Sequence, residues 1–206
     1  MWWLQCAVMM LFHPKEMVTL IKRHRKHIPA GAMLIPLLLC AAVRILAVYG
    51  VNYTVSSVSP GNINLPLELA FILLPVLLWA VACYGFMTIM GGESTFTETL
   101  TLSVFSMMPY IVLQPVLTAV SRVLSYSEAG FYNAAEIFMF GWVIVLLFLT
   151  FMESNNIGFG KAVFFSLLII VTMFLIICVT MLAFALDSQI VLFVQEIISE
   201  LNFFMR

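Results

Sequence analysis

Between Ala162 and Leu186 the chain runs 25 residues without one charged side chain. As a helix, at ~1.5 Å per residue, such a run outreaches the ~30 Å hydrocarbon core of a bilayer. Four more apolar stretches precede it, from about Ala30 to Val51, Pro66 to Met90, Phe96 to Val123 and Glu136 to Met152. Backbone groups in lipid must bond within their own segment, so stretches of this kind fold as helices. The fold class expected is an all-α integral membrane protein, a five-helix transmembrane bundle. Composition agrees: 64% of residues are hydrophobic and 9% charged, against ~45–50% and ~25% in soluble domains. Such apolar surface needs lipid as its main solvent.

Breakers and caps delimit the spans. Residues 52–65 are uncharged and rich in Ser, Asn, Gly and Pro, so they read as a loop. Gly91 and Gly92 make a turn, and Thr95 with Glu98 has the spacing of a capping box that starts the third span. Pro109 and Pro115 lie inside that span and predict a helix break or kink. Residues 124–135 are polar and read as a loop, with Phe131 and Tyr132 in it.

The first 28 residues divide from the bundle of 29–186. Met1 to Phe12 is apolar, but too short to span. It is expected to be interfacial, lying flat on the membrane or re-entering it. A basic stretch follows, with Lys15, Lys22, Arg23, Arg25 and Lys26. Lys22, Arg23, Arg25 and Lys26 are expected to set topology and grip anionic headgroups. With the N-terminus cytoplasmic, that side also gains Lys161, while Arg122 and Arg206 fall outside. An odd number of spans then places the C-terminus outside. Residues 187–206 form an amphipathic helix: Ile190, Val194, Ile197, Ile198, Leu201 and Met205 share one face, and Glu196 and Glu200 lie opposite.

No phosphate loop, dinucleotide fingerprint, zinc-protease motif or nucleophile elbow occurs. His13, His24 and His27 all lie in the basic stretch, so no Ser/His/Asp or Cys/His set assembles with the spans. Cys6, Cys40, Cys83 and Cys178 sit in apolar surroundings and read as packing residues. The chain is expected to be no enzyme and to take no cofactor or metal, and its charge points to no nucleic acid. Arg44 is an intramembrane charge, within reach of Glu68 at the start of the second span. Either the two form a structural pair or Arg44 faces a pathway or partner.

In order along the chain come Phe12-His13-Pro14-Lys15-Glu16, Leu74-Pro75 with Trp79, Gly92-Glu93-Ser94, Pro109-Tyr110-Ile111, Phe131-Tyr132 and Phe159-Gly160-Lys161. With five spans and this topology, the chain resembles the Yip family of membrane proteins, and in particular its Gram-positive bacterial branch. The resemblance implies a helical, non-catalytic membrane protein of the bacterial plasma membrane. Eukaryotic members are associated with Rab-type GTPases; their Tyr-Gly-Pro element and long N-terminal region are missing here. Genes of the bacterial relatives often neighbour carbohydrate ABC importers, with two permeases, an extracellular binding protein and carbohydrate-active partners. The resemblance therefore implies an accessory or scaffold subunit of such an importer. Candidate partner contacts are Val194, Ile197, Ile198, Leu201, Phe131 and Tyr132. The alternatives are a stand-alone small-solute channel or transporter and a membrane-organising or trafficking factor.

Overall fold

A computed structural model describes residues 2–24, 30–52 and 63–204. Among them are eight α-helices, one 3-10 turn (Tyr126–Glu128) and no strand. Short helices α1 (Trp2–Phe12) and α2 (Pro14–Arg23) precede α3 (Ala30–Gly50) and α4 (Leu65–Ile89). The third span is divided into α5 (Phe96–Phe105) and α6 (Met108–Ser121), and α7 (Ala129–Ser154) and α8 (Phe159–Phe204) complete the chain. Five segments are long and apolar enough to cross a membrane: Met33–Gly50, Leu65–Ile89, Phe96–Ser121, Ala129–Ser154 and Phe159–Ile197.

The α5–α6 span is the centre of the bundle. It packs on α3, α4 and α7 and is the most buried of the five. Its start follows the capping box, with the Thr95 N–H donating to Glu98 Oε2 at 2.8 Å. The break comes at Ser106–Met107, before Pro109 rather than at it. The physical reason is that Pro109 has no N–H for the Phe105 carbonyl and its ring crowds that carbonyl, so the preceding turn opens. Pro109 then sits in the first turn of α6, where its missing donor costs little. Pro115 is accommodated inside α6 without a break.

The N-terminal segment packs against the bundle. α1 packs on α2, α5 and α6, and α2 packs on α7. Cys6, Met10, Met17 and Ile21 are fully buried in one core with Leu102, Phe105, Met108 and Leu146. Since Phe105 and Met108 flank the middle of the third span, this segment is docked on the side of the bundle.

Two further boundaries differ from expectation. α7 begins at Ala129, so Phe131 and Tyr132 lie in its first turns rather than in a loop. The reason is that 129–135 offers no Pro to interrupt a helix and that Tyr132 is buried against the bundle, while Phe131 points outward. The tail from 187 is no separate helix: α8 continues through Asp187 to Phe204. Nothing at 187–189 breaks a helix, since Asp, Ser and Gln all keep their backbone N–H.

Candidate functional site: a polar cluster inside the bundle

Arg44 lies six residues before the end of α3, and Glu68 in the first turn of α4. The Arg44 Nη2 donates to Glu68 Oε2, so the two spans are joined by an ion pair. A carboxylate in the first turn of α4 is also favoured by the positive end of that helix. The two side chains are 23% and 19% exposed, so the pair is screened but reachable.

α6 carries the rest of the cluster. Tyr110 and Gln114 are four residues apart and share a face. Tyr110 is fully buried, and its hydroxyl lies within electrostatic reach of the Arg44 guanidinium. Gln114 Nε2 donates to Tyr132 Oη at 3.4 Å, and Tyr132 in turn donates to Glu136 Oε1 at 3.2 Å. Gln114 Oε1 is buried without a hydrogen-bond partner, whereas the Tyr110 hydroxyl and the Arg44 guanidinium face one another. Buried polar atoms of this kind cost stability unless something serves them.

The same line of side chains continues toward both ends of the bundle. Thr118 donates to the Gln114 carbonyl at 2.8 Å, and Ser121 Oγ accepts from the Asn52 N–H at 3.4 Å. In the other direction Ser103 and Ser106 bond back to Thr99 and Leu102 carbonyls, at 2.7 and 2.8 Å. Those hydroxyls are satisfied by their own helix. Ser94 donates to Asn155 Oδ1 at 2.9 Å at the far end.

The other sites anticipated from sequence fare differently. Lys22 donates to the Glu153 carbonyl at 3.3 Å, while Arg23 is exposed. Arg25 and Lys26 lie outside the described residues. Val194, Ile197 and Phe131 are exposed, at 46%, 42% and 78%. The side chains of Ile198 and Leu201 are not among those described. Tyr132, unlike Phe131, is 6% exposed and is engaged within the chain by Gln114 and Glu136. Its role was hidden by reading its segment as a loop. The i, i+4 spacing of Tyr132 and Glu136 was the signal available. Cys6, Cys40 and Cys83 are buried, and Cys178 is exposed on α8. Among the described residues no three His, Cys, Asp or Glu side chains gather in a group that could hold a metal. A lateral apolar groove of about 360 Å³ separates α4 and α7 from α8, with Trp79, Phe148 and Met173 on its walls.

The family model of the Yip1 domain matches residues 8–181. The chain belongs to the Yip family. The match begins inside α1 and ends inside α8, so all five membrane-crossing segments take part in it, together with α2. No curated protein and no solved structure matches the chain. It is a multi-pass membrane protein of the Yip type.

Proposed function

We propose that this Yip-family chain is a non-catalytic accessory or scaffold subunit that assembles with other membrane proteins. The observation that carries this reading is the form of α8. Its 46 residues extend ~69 Å at 1.5 Å each, about twice the ~30 Å of a hydrocarbon core. Its first part, to about Ile177, packs against α4 and α7. From there to Ile197 every residue is exposed, with Val179, Leu182, Phe184, Leu186 and Phe193 among them. Lipid covers that surface as far as the hydrocarbon reaches; beyond about Leu186 the exposed Val191, Phe193, Val194 and Ile197 carry it past the hydrocarbon, and there a partner would cover it.

The finer form of the proposal is a bacterial carbohydrate ABC importer, with its permeases and an extracellular binding or carbohydrate-active protein as partners. Support for it comes from the resemblance to the Gram-positive branch. With the basic N-terminal side in the cytoplasm, the exposed part of α8 rises on the outer side. Its polar residues there are acidic or neutral (Asp187, Gln189, Gln195, Glu196), so a partner surface with an apolar centre and a basic rim would complement it.

The test is purification of the tagged chain from its native membrane in mild detergent, with identification of what accompanies it. Permeases with an ATPase or a sugar-binding protein, lost on truncation after Leu186, are the expected result. The chain alone, as a monomer or a homo-oligomer, would overturn the reading and direct attention to flux through liposomes holding an Arg44 variant.

A further inference from the structure

We propose that the cluster between α3, α4, α6 and α7 binds a single monovalent alkali cation, built on Glu136, Gln114 and the hydroxyl of Tyr132. The site is independent of the assembly proposed above.

The argument begins with charge. The cluster holds one guanidinium, Arg44, and two carboxylates, Glu68 and Glu136. Arg44 is engaged by Glu68, and among the described residues Glu136 has no ion-pair partner. Its hydrogen bond comes from the Tyr132 hydroxyl. One negative charge is thus left in a half-buried position, where the surroundings screen it less than water does.

The second observation is independent of charge. Gln114 is 1% exposed, and its amide is oriented by the bond from Nε2 to Tyr132 Oη, the same hydroxyl that binds Glu136. The amide oxygen is left without a donor. Tyr110 Oη, one turn away and fully buried, is turned instead to the Arg44 guanidinium. Pro115 removes the N–H that the Ile111 carbonyl would meet in an unbroken α6, which adds a main-chain acceptor on the same helix. Oxygen acceptors of this kind, a carboxylate, an amide carbonyl and a hydroxyl, suit a hard cation rather than a soft metal.

Charge also sets the valence. One uncompensated carboxylate balances one positive charge. A divalent ion would leave the cluster net positive in a poorly screened place, which is costly.

The test is thermal unfolding of the full chain in nanodiscs. Sodium replaces choline at constant ionic strength and pH, with potassium and lithium in parallel. A ligand that binds only the folded state raises Tm as it saturates. The expected result is a saturable rise with at least one of the three ions. Glu136→Gln abolishes it, and Gln114→Leu weakens the apparent affinity at least tenfold. Calorimetric titration of wild-type protein with the same salt covers the case in which a variant fails to fold, and should show one saturable site. No dependence of wild-type Tm and no saturable heat would overturn the proposal. So would a dependence that survives Glu136→Gln, or a response to pH alone.

Discussion

Lys22 on α2 donates its ammonium to the main-chain oxygen of Glu153, in the last turn of α7, at 3.3 Å. The final carbonyls of a helix have no partner within it, and they carry the negative end of its dipole. A cation there ties the docked N-terminal segment to the bundle. The packing beneath is apolar: Met17, Val18 and Ile21 are all buried. Lys22→Ala should lower stability by about 1 kcal/mol, within the range for a partly buried charge at a helix C-terminus. Lys22→Glu should cost more, because it places a like charge there. Thermal unfolding in detergent gives the cost, and limited proteolysis near Arg23 reports release of α2. Wild-type stability in Lys22→Glu would show that the apolar face alone holds the segment.

Arg44 and Glu68 should behave as a coupled pair. Removing one leaves the other as an uncompensated charge in a poorly hydrated site, while removing both with apolar residues removes the conflict. Arg44→Leu and Glu68→Leu should each destabilise more than the double variant does. A coupling energy of about 1–3 kcal/mol is expected from a double-mutant cycle on unfolding. Additivity of the two single effects would show that the pair contributes nothing beyond its separate members.

Gly50 is a point of close approach between α3 and α6. A Cβ there would lie 2.7 Å from Thr118 Cγ2, and the Gly50 carbonyl accepts from Arg122 Nε at 3.3 Å. The Thr118 side chain is itself held by its bond to the Gln114 carbonyl, so it cannot swing clear at no cost. Gly50→Ala should therefore destabilise by about 1–3 kcal/mol, the usual cost of overpacking. Thr118→Ser removes the clashing methyl and should recover most of the loss. Rescue is read from paired unfolding curves. Its absence would place the strain in the α3 backbone instead.

Much of this architecture was legible because the physics acts locally. Glu98 caps Thr95 from three residues away, and Arg44 had one acidic residue at a matching helix end. Other features depended on partners distant in sequence. The Gln114–Tyr132–Glu136 chain needs the register of α6 against α7, and that register was obscured when polar side chains at 124–135 suggested a loop. Pro109 marked the break in the third span, but its effect falls on the turn before it, where its ring and missing donor act. Asp187-Ser188-Gln189 looked like a boundary by polarity. Polarity alters which solvent a helix prefers, however, and not its backbone bonding. The docking of α1 could not be read at all, since Cys6 and Met10 are apolar and suit lipid as well as a protein core.

Cys6 offers a check of that docking by pH. It is fully buried in the core of α1, α2 and the third span, and burial pushes its thiol pKa up. The reactive species is the thiolate. A raised pKa means less thiolate at any given pH below it. In a variant retaining Cys6 alone, alkylation should be slow at neutral pH and still accelerating where an ordinary thiol has levelled off. Stopped alkylation followed by mass spectrometry measures this. A plateau in the ordinary thiol range would show that α1 is undocked in solution.

The unbroken course of α8 gives the last prediction. The helix passes through Asp187 without a partner from Ile177 to Ile197, so its outer part contributes little to the fold of the bundle. Its direction, however, is fixed by continuous backbone bonding to the part packed on α4 and α7. Asp187→Pro removes one N–H and crowds the carbonyl four residues earlier, which should kink the helix there. In a packed helix interior such a change costs about 3 kcal/mol or more. Here the cost should fall on the outer segment, leaving the unfolding temperature of the bundle within a few degrees of wild type. If partner proteins grip the outer surface of α8 as a rigid extension, their recovery should fall sharply in the proline variant and remain in Asp187→Asn. Equal recovery in both would mean that the outer segment binds as a flexible strand of apolar side chains, or that the partners grip the bundle elsewhere.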